Sequence, residues 1–397
     1  MERLKKITLD DVIFFALVVF ALGSCISGHL SKNSEMVAIA LCGIRLLRGN
    51  IPMERLRVAK RLVLVLGIFF GTMMISALQT GNYSAAVKFC PVLDWGFEVL
   101  LIFCVLLCVR SEKHIHILWG ALFLSLLVGD GNLLYAVTQG VNRPTGLLKG
   151  WLETSMIYGF LIPALAVFSV DMNMSKRVKL CCWMMLAFAL AGAYVTGTRG
   201  IWLAIPPVLV ITFANSGGDW SRSLRFVAAG VLCVMAVVFL APANIRNRVS
   251  APELYGNSVI SRFALYEGAT KMFMDHPLLG VGTANFTKYW IEQYCPQDKP
   301  QWKDLKHPHS VYFQYLVDGG IVGFAGFAVM FCYILCWSWR RRHTRRGNIL
   351  LGATLSMLLY GLSDHSLGAH EAVRVYWLMI GMAFAEEAVS LAEQQAG

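Results

Sequence analysis

The chain has 397 residues, of which 57% are hydrophobic and 15% charged, and its mean hydropathy is +0.58. Soluble globular domains are nearer to about 45–50% apolar and about 25% charged. The composition therefore excludes a disordered chain, a nucleic-acid-binding tail protein and an ordinary cytosolic enzyme. The formal net charge of +11 comes mostly from Lys and Arg that flank apolar runs, so it is interpreted as a topology signal.

Apolar runs bounded by polar or Gly/Pro clusters predict an all-α polytopic membrane protein with about twelve transmembrane helices. Several runs are shorter than the roughly 20 residues that a span needs, so their boundaries are approximate. We expect residues 1–241 to hold transmembrane helices 1–9, residues 242–310 to form a large periplasmic loop, and residues 311–397 to hold helices 10–12. The predicted spans are 11–28, 35–48, 62–79, 93–109, 114–129, 152–170, 178–196, 200–214, 224–241, 311–339, 348–362 and 373–391.

The distribution of Lys and Arg predicts the orientation of these spans. Twenty of these cations fall in loops on one side and six in the short loops opposite, and the richer side is expected to be cytoplasmic. Both termini are then cytoplasmic, and the loop 242–310 lies on the outer side. Long loops are exempt from the charge rule, so cations of this loop such as Arg248 and Arg262 favour binding of an anion.

The outer loop contains two predicted helices. The first starts with Asn257 or Ser258 as its N-cap and ends at Pro277. It carries an apolar stripe opposite a polar line of Arg262, Tyr266 and Thr270, which is typical of a helix at a membrane surface. A Gly-rich turn and a short aromatic helix in ANFTKYWIEQYC follow.

His307 and His309 precede the tenth predicted span. Pro308 suits the first helical position, which predicts that His309 lies in the first helical turn, where the helix dipole keeps its ring neutral. Gly319-Gly320 is expected to divide an outer helical foot from the membrane part. Metal binding by the two histidines is disfavoured, because Pro308 separates the rings and no neighbouring Cys or carboxylate completes a zinc set.

Three more ionisable residues lie in predicted outer turns: Arg143 in GVNRPTG, Arg199 in VTGTRGIWLA and Asp364 in GLSDHS. Ionisable residues at a membrane edge are costly, which favours a functional interpretation. Structural alternatives remain open at this point: a snorkelling cation for Arg199 and a hydrogen-bonded helix cap formed by Asp364 and His365.

Other structural alternatives concern the outer loop itself. For Arg262, the alternative is a surface salt bridge with Glu267 or Asp275. For His307 and His309, it is a pair of loop histidines whose hydrogen bonds are satisfied within the loop.

Three motifs in this chain resemble the O-antigen ligase/polymerase superfamily. TRGIWLA around Arg199 is similar to the family's S/T-R-[GA] signature, and SRFALYEGATKMFMDHPLLGVGTANF resembles its Arg-bearing helix followed by P-L-L-G-x-G-x-x-x-F. HPHSVYFQYLVDGGIVG resembles the family's H-x-H-N-x-x-L-Q-x-x-x-x-x-G-x-x-G, with Ser310 where Asn is usual. NRPTG and GLSD also have counterparts, and order and spacing agree over roughly residues 140–370.

The resemblance implies a bacterial inner-membrane glycosyltransferase with a GT-C-like helical fold, which works without a metal or another cofactor. Its donor would be a glycan on undecaprenyl pyrophosphate. In the ligase branch, which we favour, the acceptor is a sugar of the lipid A–core oligosaccharide at the periplasmic face. In the polymerase branch it is another lipid-linked repeat unit. Membrane lipids are the remaining expected partner, with no nucleic acid; a transporter of lipid-linked or anionic substrates and a membrane scaffold are the alternatives from other classes.

The chemistry of such a transfer assigns roles to the outer residues. A diphosphate leaving group gathers negative charge, which guanidinium groups stabilise by bidentate hydrogen bonds, and the acceptor hydroxyl needs a base. Arg199 and Arg262 are predicted to hold the diphosphate and His309 to be the base, in a direct displacement that inverts the anomeric carbon. The predicted substrate-binding residues are Arg143, Arg248, Tyr266, His307 and Asp364.

Overall fold

The chain is a set of helices joined by short turns. The computed structural model describes residues 7–49, 53–81, 83–84, 95–141, 144–148, 150–217, 219–221, 223–225, 227–228 and 252–396. No β-strand occurs within these residues, which confirms the predicted all-α class. Their α-helices are α1 Leu9–Gly23, α2 Gly28–Leu47, α3 Met53–Val58, α4 Lys60–Gln79, α5 Trp95–Val99, α6 Leu101–Cys108, α7 Glu112–Thr138, α8 Trp151–Val170, α9 Lys176–Val195, α10 Arg199–Asn215, α11 Pro252–Asp275, α12 Phe286–Tyr289, α13 Val311–Arg340, α14 Arg345–Tyr360 and α15 His370–Ala396.

Six of the described helices are long and apolar enough to cross a membrane: α4, α7, α8, α9, α13 and α15. Helix α8 is central, because 89% of its most apolar window is buried inside the protein, compared with 28% for α9. The chain is therefore a polytopic membrane protein. The count of twelve spans and the cytoplasmic position of both termini stay predictions, and the predicted ninth span, 224–241, lies almost entirely outside the described residues.

Two predicted boundaries near the N-terminus were wrong. The first helix ends at Gly23 and the second begins at Gly28, earlier than the predicted residues 28 and 35. Ser27 caps the second helix, because its hydroxyl accepts a hydrogen bond from the N–H of Leu30 at 3.3 Å. The apolar runs alone missed this polar turn.

A break in α13 joins the outer loop to the membrane helices. Gly320 has φ 59° and ψ −159°, which interrupts the helix and confirms the predicted division at Gly319-Gly320. Four backbone hydrogen bonds of 2.8–3.2 Å connect residues 277–282 with residues 317–322. The Ser76 hydroxyl from α4 lies 2.5 Å from the carbonyl oxygens of both segments, at Leu279 and Asp318. We call this arrangement the interlock.

The interlock explains why glycines occur in PLLGVG and DGG. Gly280 and Gly320 both have positive φ (69° and 59°), and a Cβ on either would collide with the backbone of the opposite segment, at Val317 and at Leu278.

We expect Gly280→Ala to destabilise the protein by about 1–3 kcal/mol, measured as a lower unfolding temperature in detergent. Gly131→Ala is the matched control, since its Cβ meets open space within α7; equal unfolding temperatures for the two variants would contradict this role.

The outer loop folds over a small apolar core of its own. Helix α11 begins at Pro252, not at the predicted Asn257 or Ser258, because proline fits the first helical turn. The predicted short helix is confirmed as α12 with a π-helical turn, Trp290–Tyr294. The buried residues of this core are Leu265, Ala269, Met272, Val281, Phe286, Trp290 and Val317.

Candidate functional site

Three predicted site residues meet in space although 55 positions separate the last two along the chain. One ligand atom each of His307, His309 and Asp364 lies within 4.8 Å of the other two. Nδ1 of His309 is 3.2 Å from Oδ1 of Asp364. The N–H of His365 also donates to that carboxylate oxygen, at 2.9 Å, which fixes its orientation. We call His307, His309 and Asp364 the His–Asp cluster.

The backbone at His309 differs from the prediction. Helix α13 begins at Val311 with Ser310 as its extended N-cap, so His309 lies before the helix and not in its first turn. His309 has φ 49°, a left-handed conformation that is uncommon outside glycine. Its N–H donates to Nδ1 of His307 at 3.3 Å. The turn therefore directs both imidazole rings towards Asp364, a position that a regular first helical turn would not give.

Burial and neighbouring charges set the protonation states in the cluster. Burial, together with the charges of His309 and Arg262, lowers the pKa of His307 to about 4. Burial opposes ionisation of Asp364, but the hydrogen bonds from His309 and from the backbone N–H of His365 favour the carboxylate, so the pKa of Asp364 lies below its usual value. Burial also lowers the pKa of His365 to about 3.

These states define the tautomer of His309. Asp364 is a carboxylate at neutral pH and accepts from Nδ1–H of His309, which leaves the lone pair of Nε2 on the other side of the ring. His307 is neutral, and its Nδ1 is the acceptor for the His309 backbone. An imidazole oriented by a carboxylate in this way is suited to take a proton from a hydroxyl group.

Tyr266 connects α11 to the cluster. Its hydroxyl lies 3.2 Å from the carbonyl oxygens of both His309 and Leu362. Its ring stacks on Phe313 in α13, with centroids 4.9 Å apart. Of the polar residues predicted to line one face of α11, Tyr266 therefore contacts the site, whereas Thr270 is exposed.

Tyr266→Phe tests whether this contact supports the site. Removing the hydroxyl leaves two carbonyl oxygens without their donor, which costs about 1 kcal/mol, and we expect roughly a fivefold lower rate of product formation. Tyr294→Phe is the control, because it removes a hydroxyl contact to Asp275 within the same loop but away from the cluster. The same rate loss in both variants would show that Tyr266 has no special role at the site.

Arg262 lies half-buried one helical turn before Tyr266. The salt-bridge alternative was wrong for both proposed partners: Glu267 pairs with Lys271 at 2.7 Å, and Asp275 accepts from Tyr294. Among the described residues, no carboxylate pairs with Arg262. Its charge acts on His307 and Tyr266, so this guanidinium is available to an anionic ligand beside the cluster.

Arg199 begins α10 next to the turn that carries Asp364. A Cβ on Gly200 would collide with Oγ of Ser363 and with the ring of Tyr360, so the backbone of α10 at Gly200 lies directly against these two side chains. Arg199 itself is half-buried. The structure thus brings the start of α10, helix α11 and the turn after α14 to one place. Arg143 and Arg248 lie outside the described residues.

The prediction that no carboxylate lies beside the two histidines was wrong, because Asp364 supplies one from a turn that is distant in sequence. Sequence reasoning also left His365 out of the site, although it is adjacent to Asp364 and its ring centroid lies 6.0 Å from that of His307.

Glu98 and Asp318 are acidic residues within apolar runs, and the structure gives each a partner. Nε of Arg374 lies 3.1 Å from Glu35 and 3.3 Å from Glu98, which joins α2, α5 and α15. Asp318 accepts from the side-chain amide of Gln314 at 2.8 Å. Both carboxylates are therefore buried and have polar partners: the contact of Glu98 joins separate helices, and that of Asp318 lies within α13.

A family model described as O-antigen ligase matches residues 184–328. This segment of the chain is similar to the O-antigen ligase family. The matched segment of the O-antigen ligase family contains Arg199, Arg262, His307 and His309, and it ends before Asp364. No curated protein matches the chain significantly. The match confirms the resemblance predicted from the motifs for residues 184–328.

Proposed function

We propose that this protein is an O-antigen ligase that transfers a glycan from undecaprenyl pyrophosphate to a sugar of the lipid A–core oligosaccharide at the periplasmic face of the bacterial inner membrane. The observation that supports this most directly is the 3.2 Å contact between His309 and Asp364 beside Arg262, whose guanidinium pairs with no carboxylate of the described residues. A base and an anion-binding group at one place match what glycosyl transfer from a diphosphate requires.

The proposed reaction is a single displacement. The acceptor hydroxyl oxygen attacks the anomeric carbon while its proton passes to Nε2 of His309. The bond between the anomeric carbon and the diphosphate oxygen breaks with its electron pair, and undecaprenyl pyrophosphate leaves. Asp364 stabilises the imidazolium that forms. Attack opposite the leaving group inverts the anomeric carbon.

Charge on the leaving diphosphate grows as the bond breaks. Arg262 and Arg199 are proposed to stabilise this charge, with Arg143 as a further contact, and no metal is needed for this step. Helix α11 contacts the cluster through Tyr266, and the interlock ties the segment that follows α11 to α13. These contacts would limit the access of water, and so limit hydrolysis of the donor.

Reconstitution of the purified protein tests the proposal. The protein is mixed with an undecaprenyl-pyrophosphate-linked glycan and lipid A–core, without ATP, a metal or an ion gradient. A ligase forms glycan-capped lipid A–core. Longer chains on the lipid carrier would indicate a polymerase, and movement of the donor across the bilayer without a new glycosidic bond would indicate a transporter.

A further inference from the structure

We propose that the His–Asp cluster is an inhibitory site for a zinc-class divalent cation. This inference rests on the proposed function, because it assigns a regulatory ligand to the same His309 that acts as the base. The cation is an inhibitor here and takes no part in the transfer.

The ligand set is suited to zinc. Two imidazole nitrogens and one carboxylate oxygen form a common three-residue zinc set, with water in the fourth position. Ligands at tetrahedral positions around zinc are about 3.4 Å apart, given bond lengths of about 2.1 Å. The three ligand atoms lie within 4.8 Å of one another, and two of them, on His309 and Asp364, are already 3.2 Å apart. Closing the largest separation, at most 4.8 Å, to the tetrahedral spacing requires a movement of at most about 1.4 Å.

The cluster is also reachable from outside. The side chain of His309 is 26% exposed and that of Asp364 is 19% exposed. Both groups therefore have an open side, while the backbone contacts of His309 and His365 hold the ligands in place. The charge of Arg262 opposes a cation here, which favours moderate and reversible binding over a permanent structural metal.

Binding would remove the base whichever ring nitrogen of His309 the metal takes. A metal on Nε2 occupies the lone pair that would accept the acceptor proton. A metal on Nδ1 displaces the hydrogen bond from Asp364 and leaves the hydrogen on Nε2, which then has no lone pair to accept a proton. Either mode stops proton transfer, so we expect loss of activity in proportion to occupancy.

A direct binding measurement tests the site independently of activity. Tag-free purified protein is titrated with ZnCl2 in competition with a chromogenic chelator, and its unfolding temperature is recorded in parallel. We expect one zinc ion per chain at the cluster, with affinity at least tenfold weaker in His307→Ala, His307→Gln and Asp364→Asn. His276→Ala is the matched control, a histidine of the same loop outside the cluster, and it should bind zinc like wild type.

Glycan transfer is then measured on the same preparations. Zinc at saturating concentration should abolish glycan transfer, a chelator should restore it fully, and Mg²⁺ should have no effect. Unchanged zinc affinity in all three cluster variants, or full transfer with the site occupied, overturns the inference. A folded preparation that binds zinc at the cluster but transfers no glycan when metal-free overturns the proposed function and leaves the metal site in place.

Discussion

Replacing His309 with alanine is expected to lower kcat for glycan transfer by about 10³-fold, because the acceptor hydroxyl then has no base in the transition state. The measurement is the rate of capped lipid A–core formation by protein reconstituted in detergent or vesicles. Within the described residues the side chain makes one polar contact, to Asp364, and it is partly exposed, so the variant should insert and unfold like wild type. Substrate binding should change little, and the loss should appear in kcat rather than in KM.

Asp364→Asn tests whether the orientation of the His309 ring matters while the ring itself is still present. An amide in place of the carboxylate no longer stabilises an imidazolium and favours the wrong tautomer of His309, so we expect a loss that approaches that of His309→Ala. The double variant should lose little more than either single variant, since the two groups act together. His276→Ala, outside the cluster, should keep its wild-type rate. Full activity of folded His309→Ala would end the base assignment.

Arg262→Ala is expected to lower kcat by about 10²–10³-fold, the usual effect of removing one charged donor from a developing anion. Within the described part of the chain no carboxylate pairs with Arg262, so the loss would not be explained by a broken salt bridge. The measurement compares transfer rates with a diphosphate-linked donor at saturating concentration, which isolates the bond-breaking step from donor binding.

Arg262→Lys tests geometry at constant charge. Lysine keeps the positive charge but cannot form the bidentate contact that guanidinium makes with phosphate oxygens, so we expect about a tenfold loss, intermediate between wild type and alanine. Lys271→Ala is the matched control, an exposed cation on the same helix that pairs with Glu267. If Arg262→Lys and Lys271→Ala were both as active as wild type, only the presence of charge at Arg262 would matter, and the bidentate clamp would be excluded.

Much of the fold was predictable because apolar runs must be buried in lipid or in the core. The predicted span 152–170 corresponds to α8 within one residue, and the span 311–339 to α13, including its division at Gly319-Gly320. Capping was predicted less well. Ser27 is the N-cap of α2 and Ser310 is the N-cap of α13. Hydropathy does not reveal these positions, because a cap depends on one side-chain or backbone hydrogen bond and not on a run of residues.

Composition and local spacing were enough to predict the helical class and the polytopic membrane character, whereas the roles of the site residues stay predictions. Three features could be learned only from the packed helices: Asp364 contacts His309, Arg262 does not pair with Glu267 or Asp275, and PLLGVG fits the break in α13. The contact of Asp364 with His309 joins residues 55 positions apart, and that of Ser76 with Leu279 joins residues 203 positions apart. Their formation depends on how helices pack against one another, and no local pattern of residues specifies that packing.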